Sequence, residues 1–444
     1  MHTQNLDSDT PLGRCASTVP DTLRNRSRAG LYFTPGFILV WLALNQAAVV
    51  DAAAPTPAKD YTVAAVDYQR RTIYHSPQSP GFTCWTGIWS MPDQSLMLAF
   101  TQATGPLKGR AKAPPAVRQR LSWPPAGREN YDMTGLDLSN VYLRTTDHGK
   151  TWKKVSQDHF RSCMNGAACA RSQLALSEDT IIRTVWGRYL PYDDPPVPQT
   201  GLLQRSRDRS QTWQPLQAIL DPKTITLFVT KLKRLRDGRI LAIGGAADVP
   251  ANNRLSRYEL NARWYPVVLV SRDHAQTWGS PIKVVPADAA KNWGGEEFDI
   301  AELANGDLMC VYRRIDPASE KRNREVRWQS LLKKQGDRWT PQRVGPAPFP
   351  HSGHPTLLAT REGVVLHIAT SGIHWTRDAG LSWHRLDLPG THYYPDTVQG
   401  PDGRIYISAH VGGDNAYGAV DQSITLDSFR LQVKHGPSHT PRGK

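Results

Sequence analysis

Charged and imidazole side chains stand in short segments where they could bind or act on a polar ligand. Glu297 ends the run WGGEE, directly before an apolar segment of strand-like composition. Arg313 and Arg314 end the next apolar run, and His351 and His354 enclose a Ser-Gly pair. A carboxylate can act as a general base, and guanidinium and imidazole groups can donate hydrogen bonds to the oxygens of a polar ligand.

Tryptophans and cysteines add binding candidates but no metal site. A tryptophan is more often a core residue than a ring that stacks on a ligand, and the candidates for stacking are Trp85, Trp89, Trp186 and Trp293. No Cys or His cluster has metal-ligand spacing, so we expect no metal and no cofactor. Cys84 and Cys310 lie in apolar runs typical of buried thiols. Cys163 and Cys169 could form a disulfide in an oxidising compartment.

An eight-residue box recurs along the chain, and it predicts a repeated turn. Its pattern is [S/T]-x-D-x-x-x-[S/T]-W, in which the Asp accepts hydrogen bonds from turn amides and the Trp packs against the repeat. Gly149 and Gly380 supply a left-handed position, which Ser210 and Ala275 fill elsewhere, so we expect those two turns to be strained or differently shaped. The copies span 145–152, 206–213, 271–278 and 376–383, with a degenerate copy at 336–339.

A second repeat, a turn dipeptide followed by an apolar strand, alternates with the boxes. Its turns lie at 92–95, 178–179, 237–239, 305–307, 362–363 and 402–404. Asn-Gly and Asp-Gly before apolar runs are hairpin signals, and repeated units of several short strands are typical of propeller blades. We therefore predict an all-β, six-bladed β-propeller of four-stranded antiparallel blades over 59–436, without long helices, followed by a disordered tail at 437–444. The last unit has a strand at 423–433 in place of a box, and we expect the strand at 61–74 to complete it and close the ring.

The N-terminal segment predicts export. Three arginines precede an apolar run at 31–44, and small residues follow at 51–54. This order is typical of a secretory signal, so we interpret 1–58 as signal peptide and leader, with an uncleaved membrane anchor as the alternative. No other segment is long and apolar enough to span a bilayer, so we expect a periplasmic or secreted protein without stable membrane insertion.

The chain is basic, with a formal net charge of +14. This charge favours anionic surfaces or substrates through long-range attraction. The basic residues are scattered and form no nucleic-acid-binding signature, so we expect no nucleic-acid partner. We also expect a monomer.

The boxes resemble the Asp-box repeats of the sialidase superfamily of six-bladed propeller glycosidases, over residues 61–433. Two further segments are similar to sialidase segments that carry functional residues. The stretch EFDIAELANGDLMCVYR, 297–313, resembles the one with a tyrosine-polarising Glu and an Arg of the carboxylate-binding triad, which implies these roles for Glu297 and Arg313. The stretch YYPDTV, 393–398, resembles the one with the nucleophile, which implies Tyr394.

The resemblance also implies a mechanism. A neutral tyrosine paired with a carboxylate base attacks an anomeric carbon beside a substrate carboxylate with less charge repulsion than Asp or Glu would meet, and sialidases are an exception to the two-carboxylate scheme. A separate acid protonates the leaving oxygen. In the family this is an Asp on the loop before the first box, which implies Asp132, with Asp137 as the alternative.

The chain departs from the sialidase pattern at two of the three triad arginines. The first-blade position reads FTCW, 82–85, and the stretch 364–375 contains no Arg. The resemblance therefore does not predict ordinary sialic acid as the substrate. The residues that we predict to bind a sugar are Arg313, Arg314, Trp85, His354 and His410, with His351 as a further polar contact.

Several functions are compatible with these patterns. The first is an exported, retaining exo-glycoside hydrolase with Tyr394 as nucleophile, acting on the terminal sugar of a glycan, acidic sugars included. The alternatives are a carbohydrate-binding propeller that has lost catalysis, a polysaccharide lyase in which Arg313 neutralises a uronate, and a structural assembly factor.

Overall fold

The computed structural model is a six-bladed β-propeller. It describes residues 61–78, 82–106, 108–121, 132, 134–160, 173–185, 201–253, 255, 263–286, 293–315, 325–390, 392–411 and 423–435. The predicted leader at 1–58 and tail at 437–444, as well as Cys163, Cys169 and Trp186, lie outside these residues. Within them, the strands form six four-stranded antiparallel sheets, which confirms the predicted fold class.

Each blade contains four strands in sequence order from the propeller axis outward, except at the closure. Blade 1 consists of β2 (Phe82–Ser90), β3 (Leu96–Thr104), β4 (Asp137–Thr145) and β5 (Lys153–Phe160). Blade 2 consists of β6 (Gln173–Ala175), β7 (Ile181–Val185), β8 (Leu202–Ser206) and β9 (Gln217–Ala218). Blade 3 consists of β10 (Thr226–Arg234), β11 (Ile240–Ala247), β12 (Tyr265–Ser271) and β13 (Ile282–Lys283).

The remaining blades follow the same order. Blade 4 consists of β14 (Trp293–Glu302), β15 (Leu308–Ile315), β16 (Glu325–Gln335) and β17 (Arg338–Pro346). Blade 5 consists of β18 (Thr356–Ala359), β19 (Val365–Ala369), β20 (Gly372–Thr376) and β21 (His384–Leu386). Blade 6 consists of β22 (Tyr393–Gln399), β23 (Ile405–Val411), β24 (Ser423–His435) and β1 (Tyr61–His75).

The ring closes as predicted. Strand β1 pairs antiparallel with β24 and forms the outer edge of blade 6, with Tyr61 opposite His435 and His75 opposite Ser423. The first strand of the propeller thus completes the last blade, which leaves no gap between the two ends of the ring. A short helix, α1 (Pro115–Leu121), lies in the connection between β3 and β4. No helix in the described part of the chain is long and apolar enough to cross a membrane.

The apolar core lies between the blades. Each pair of neighbouring blades shares one cluster of buried side chains, for example Val268 of blade 3 with Ile300 of blade 4. Cys310 is a buried free thiol in one of these clusters, as predicted. Trp89 also belongs to a core cluster, so it is not a sugar-stacking residue. The blades therefore depend on one another for burial of their faces.

The two sequence repeats occupy the predicted positions. The turn dipeptides connect the first and second strands of the blades, and the boxes connect the third and fourth. In the first box, Asp147 Oδ1 accepts hydrogen bonds from the Thr145 hydroxyl at 2.7 Å and the Thr151 amide at 2.9 Å. The other three complete boxes repeat this pattern around their own Asp.

The boxes without glycine have the same shape as those with it. The left-handed φ is 72° at Ser210 and 62° at Ala275, close to the 78° of Gly149 and Gly380. Of the two expected outcomes, the turns are strained and not differently shaped, because the Asp hydrogen bonds hold these non-glycine residues in a left-handed conformation. At Gly380 the site of a Cβ would lie 2.6 Å from Met309 Cε and 2.5 Å from Gln329 Oε1, both in blade 4. This box thus packs closely against the preceding blade.

We expect Gly380→Ala to lower the free energy of unfolding more than Gly238→Ala. Gly238 also has a left-handed φ, of 87°, but a Cβ there would meet nothing within 4 Å, so Gly238→Ala measures the strain alone, about 1 kcal/mol. At Gly380 the new Cβ would displace the Gln329 amide, which donates to Gly380 O and accepts from Trp383 Nε1. This overpacking should lower the free energy of unfolding by about a further 1–3 kcal/mol. Denaturant unfolding of the two variants measures the difference, and equal losses would contradict close packing.

A buried group of charges joins the inner strands at the axis. Lys231 Nζ of β10 lies 2.7 Å from Asp299 Oδ2 of β14 and 3.1 Å from Asp396 Oδ1 of β22. It also donates to the Thr356 hydroxyl of β18 at 2.8 Å, and Asp396 accepts from the Ile88 amide of β2 at 2.9 Å. We call Lys231, Asp299, Thr356 and Asp396 the axial network. Its members lie in blades 3 to 6, and the hydrogen bond from the Ile88 amide connects blade 1 as a fifth.

We expect Lys231→Met to destabilise the protein strongly. The substitution keeps an apolar stem but leaves the buried carboxylates of Asp299 and Asp396 without their shared cation, and breaking a buried ion pair typically costs about 3–5 kcal/mol. Arg385→Met is the control, since Arg385 and Asp387 form an exposed pair, and such pairs contribute little. Chemical unfolding of both variants gives the comparison; a small effect of Lys231→Met would show that the network is dispensable.

Candidate active site

The candidate residues gather at one end of the propeller. Inner strands run toward the turn dipeptides, so their N-terminal ends lie at the opposite end, together with the loops between second and third strands. We call this the site end. Glu297 lies in the first half of β14, Arg313 near the end of β15, Tyr394 near the start of β22 and His410 near the end of β23. Antiparallel pairing thus brings residues that are distant in sequence to the same end.

Glu297 forms the centre of a buried ion-pair cluster. Its side chain is 7% exposed, and Oε1 lies 3.0 Å from Arg313 Nη1. Oε2 lies 2.7 Å from His351 Nε2. Arg313 Nη1 also lies 3.2 Å from Glu325 Oε1, and His351 Nδ1 lies 3.3 Å from Glu325 Oε2. Arg313 and His351 therefore each lie between the same two carboxylates.

Glu297 is held in its ionised form. Burial by itself opposes the charge, but the positive charge of Arg313, the hydrogen bond with His351 and the charge of His354 outweigh it. Together they hold the pKa of the Glu297 carboxyl well below its usual range. A buried carboxylate that stays ionised can accept a hydrogen bond from a neighbouring hydroxyl and polarise it.

Tyr394 lies beside this cluster at an irregular point of its strand. The pairing of β22 with β23 shifts register between Tyr393 and Asp396, and Tyr394 has a left-handed φ of 46°. Its ring stacks on His410 at a centroid distance of 5.6 Å and lies 5.1 Å from the ring of His354. Bulges and strained backbone often re-aim side chains at functional sites. His354 connects the two parts of the site, because its charge also acts on Glu297.

Two charged residues that the sequence did not single out, Glu325 and Arg327, complete the site. Arg327 is 2% exposed and donates to Glu297 O at 3.3 Å and to Gly353 O at 2.6 Å. It therefore fastens the segment that carries His351 and His354 to strand β14. The signal for both residues was the alternation of charged and apolar side chains in EVRW at the start of β16, opposite the end of β15.

A cavity of about 670 Å³ adjoins the cluster. His351 and Glu325 of the cluster line this cavity, together with Arg314 and Trp328. The guanidinium of Arg314 stacks on the Trp328 ring, with Cζ 3.8 Å from the centroid. The volume and the mixture of aromatic and charged walls suit a small polar ligand.

Asp132 makes its hydrogen bonds within its own loop. Asp132 is 1% exposed, and its carboxylate accepts hydrogen bonds from the Ala113 amide at 2.9 Å and the Thr134 amide at 3.0 Å. These contacts hold the loop of blade 1 that contains α1. The alternative acid, Asp137, is exposed and pairs with His159 at 3.0 Å. Among the described residues, the hydrogen-bond partners of the Asp132 and Asp137 carboxylates are these neighbours, and they do not include Glu297.

Trp85 is mostly buried. It is 7% exposed and has a left-handed φ of 58°, at a register shift between Cys84 and Gly87 in the inner strand of blade 1. This strand neighbours β22 across the closure of the ring. Its conformation parallels that of Tyr394.

Within the described residues, no group of three or more His, Cys, Asp or Glu side chains could hold a metal ion.

Comparison with known proteins defines the class by fold. No protein-family model matches the chain, and no curated protein matches its sequence. Its fold is that of a group of solved six-bladed propellers, which confirms the architecture implied by the sialidase resemblance. At 11–18% identity, the likeness is one of fold alone.

Three of these solved structures illustrate the likeness. A Dyadobacter fermentans protein of unknown function has a TM-score of 0.57 and 18% identity, over 83% of this chain and 99% of that one. A Penicillium chrysogenum α-L-arabinanase, solved with arabinobiose, has a TM-score of 0.52 and 14% identity, over 82% and 98%. A sialidase from Streptococcus pneumoniae has a TM-score of 0.50 and 11% identity, over 81% and 70%.

The depressed pKa of Glu297 makes a prediction about acid stability. A carboxyl whose folded pKa lies below its unfolded value of 4.5 contributes stability that is present above that value and is lost as the pH falls toward the folded pKa. We expect the stability difference between the wild type and Glu297→Gln to be constant from about pH 7 to 5.5 and to narrow below about pH 4.5. Unfolding at a series of pH values measures it; a difference unchanged down to pH 3.5 would contradict the depressed pKa of Glu297.

Proposed function

We propose that the protein is an exported, retaining glycoside hydrolase that removes a terminal sugar from a glycan at the site end of the propeller. Tyr394 is the nucleophile and Glu297 is the base that polarises it. The tyrosine oxygen attacks the anomeric carbon, its proton passes to Glu297, and the bond to the leaving oxygen breaks as that oxygen takes a proton from an acid. Water then hydrolyses the glycosyl-tyrosine intermediate.

One observation carries the proposal: an ionised, buried Glu297 shares a single cluster with Tyr394 through His354. A tyrosine is a weak nucleophile at its ordinary pKa, so it needs a base within its own site. The fold supports the same conclusion, because the arabinanase and the sialidase that share it act on glycans. Export is supported by the basic and apolar pattern of residues 1–58.

A carbohydrate-binding propeller without catalysis is the second candidate. The contacts of Asp132 favour it, because a carboxylate engaged by two backbone amides and nearly buried is poorly placed to protonate a leaving group. The lyase alternative has less support, since Arg313 already lies between two carboxylates and is poorly suited to neutralise a uronate.

Tyr394→Phe tests the proposal. The substitution removes only the phenolic oxygen, so we expect turnover to fall by at least about a thousandfold while the thermal unfolding temperature changes little. The assay is release of a fluorescent aglycone from a panel of aryl glycosides, sialosides included. Tyr393→Phe is the matched control, because it removes the same atom one position earlier.

Different outcomes separate the two candidates. Near wild-type hydrolysis by Tyr394→Phe would show that Tyr394 is not the nucleophile. Binding of glycans by the wild type without release of sugar from any member of the panel would favour the non-catalytic propeller.

A further inference from the structure

Glu325 forms a second ion pair with Arg313, the arginine that the sialidase resemblance assigns to carboxylate binding. Arg313 Nη1 lies 3.0 Å from Glu297 Oε1 and 3.2 Å from Glu325 Oε1, so one guanidinium nitrogen bridges two carboxylates. These two oxygens are therefore no more than about 6 Å apart. His351 reinforces the arrangement, with one ring nitrogen toward each carboxylate.

This pairing changes what Arg313 can bind. A carboxylate-binding arginine offers its N–H groups in a fork that matches the two oxygens of a substrate. Here the Nη1 atom already faces two protein carboxylates, and a substrate carboxylate would approach both at short range. Like charges in a partly desolvated site repel each other strongly, and the repulsion is screened little by salt.

The neighbouring arginine does not replace Arg313. Successive side chains of a strand point to opposite faces, and Arg314 stacks on Trp328 at 3.8 Å instead of facing Glu297. Arg327 is 2% exposed and is engaged with Glu297 O and Gly353 O. Glu325 is the more accessible of the two carboxylates, at 32% exposure against 7% for Glu297, and it lines the adjoining cavity.

We propose that Glu325 is a specificity-determining residue that excludes sugars with a carboxylate at or near the anomeric carbon, so that the site accepts a neutral glycoside. The proposal rests on the proposed hydrolase function for the cleavage step. It separates this chain chemically from a sialidase that shares its fold, because it assigns Arg313 to holding two carboxylates of the protein in place of one from the substrate.

The wild-type protein gives the first test, using aryl glycosides with and without a carboxylate. The 4-methylumbelliferyl glucoside and glucuronide, and the galactoside and galacturonide, are matched pairs that differ by the carboxylate. The α-L-arabinofuranoside and the N-acetylneuraminide are a further neutral and a further acidic probe. We expect the glycoside with the largest kcat/KM to be a neutral one. Faster cleavage of an N-acetylneuraminide or a uronide than of all neutral members would overturn the proposal.

Three variants give the second test, which uses binding and needs no turnover. Calorimetric titration with sodium N-acetylneuraminate is expected to show about tenfold or greater tightening in Glu325→Gln relative to the wild type. Glu325→Asp, which keeps the charge, should bind as weakly as the wild type. Glu178→Gln is the matched control, because it removes a carboxylate that pairs with Arg209 in blade 2, at the end of the propeller opposite the site end.

The outcomes distinguish the failure of each proposal. Absence of hydrolysis of every glycoside would reject the proposed function, and the titrations would still decide the role of Glu325. Equal N-acetylneuraminate affinity in the wild type and in a folded Glu325→Gln would reject that role, whatever the hydrolase result. If Glu325→Gln unfolds, the ranking of the wild-type substrates decides alone.

Discussion

The axial network is the constraint on which the placement of the site depends. Lys231 holds Asp299 and Asp396 together at the centre of the ring, and Thr356 lies between them. Each of these three partners lies two residues after a member of the site. Glu297 precedes Asp299, His354 precedes Thr356, and Tyr394 precedes Asp396. The network therefore fixes three inner strands relative to one another just below the residues that meet at the site end.

A buried ion pair is a poor source of net stability, because desolvation offsets much of the attraction between the charges. The contribution of the axial network here is to discriminate between alternative registers of the inner strands. A slip of one residue in β14 or β22 would point Asp299 or Asp396 into an apolar interface and remove one of the two carboxylates that pair with Lys231. We infer that the network selects one alignment of the inner strands, whereas the apolar clusters between the blades tolerate small shifts.

Much of the fold followed from local patterns. The turn dipeptides and the boxes mark the two kinds of hairpin in a blade, and each depends on a few neighbouring residues such as Asp147 and Thr151. The resemblance to sialidase segments singled out Glu297, Arg313 and Tyr394, and the fold places them at one end of the ring. Asp132 shows what the sequence could not predict. An Asp before a box can either stabilise its loop or protonate a leaving group, and the amides that donate to it come from residues 113 and 134. The pairing of Arg313 with Glu325 and the left-handed Tyr394 also depend on tertiary contacts that no local pattern encodes.

The charge of the chain and the charge of the site act over different distances. A net charge of +14 attracts anionic surfaces over about one Debye length, roughly 8–10 Å at physiological salt, and it favours approach without selecting a sugar. In the proposed role of Glu325, selection occurs at contact, where Arg313 and His351 lie between Glu297 and Glu325. A basic surface and a site that repels carboxylates are therefore compatible. The net charge of the chain acts on the approach of a ligand, whereas the proposed role of Glu325 concerns which sugar binds.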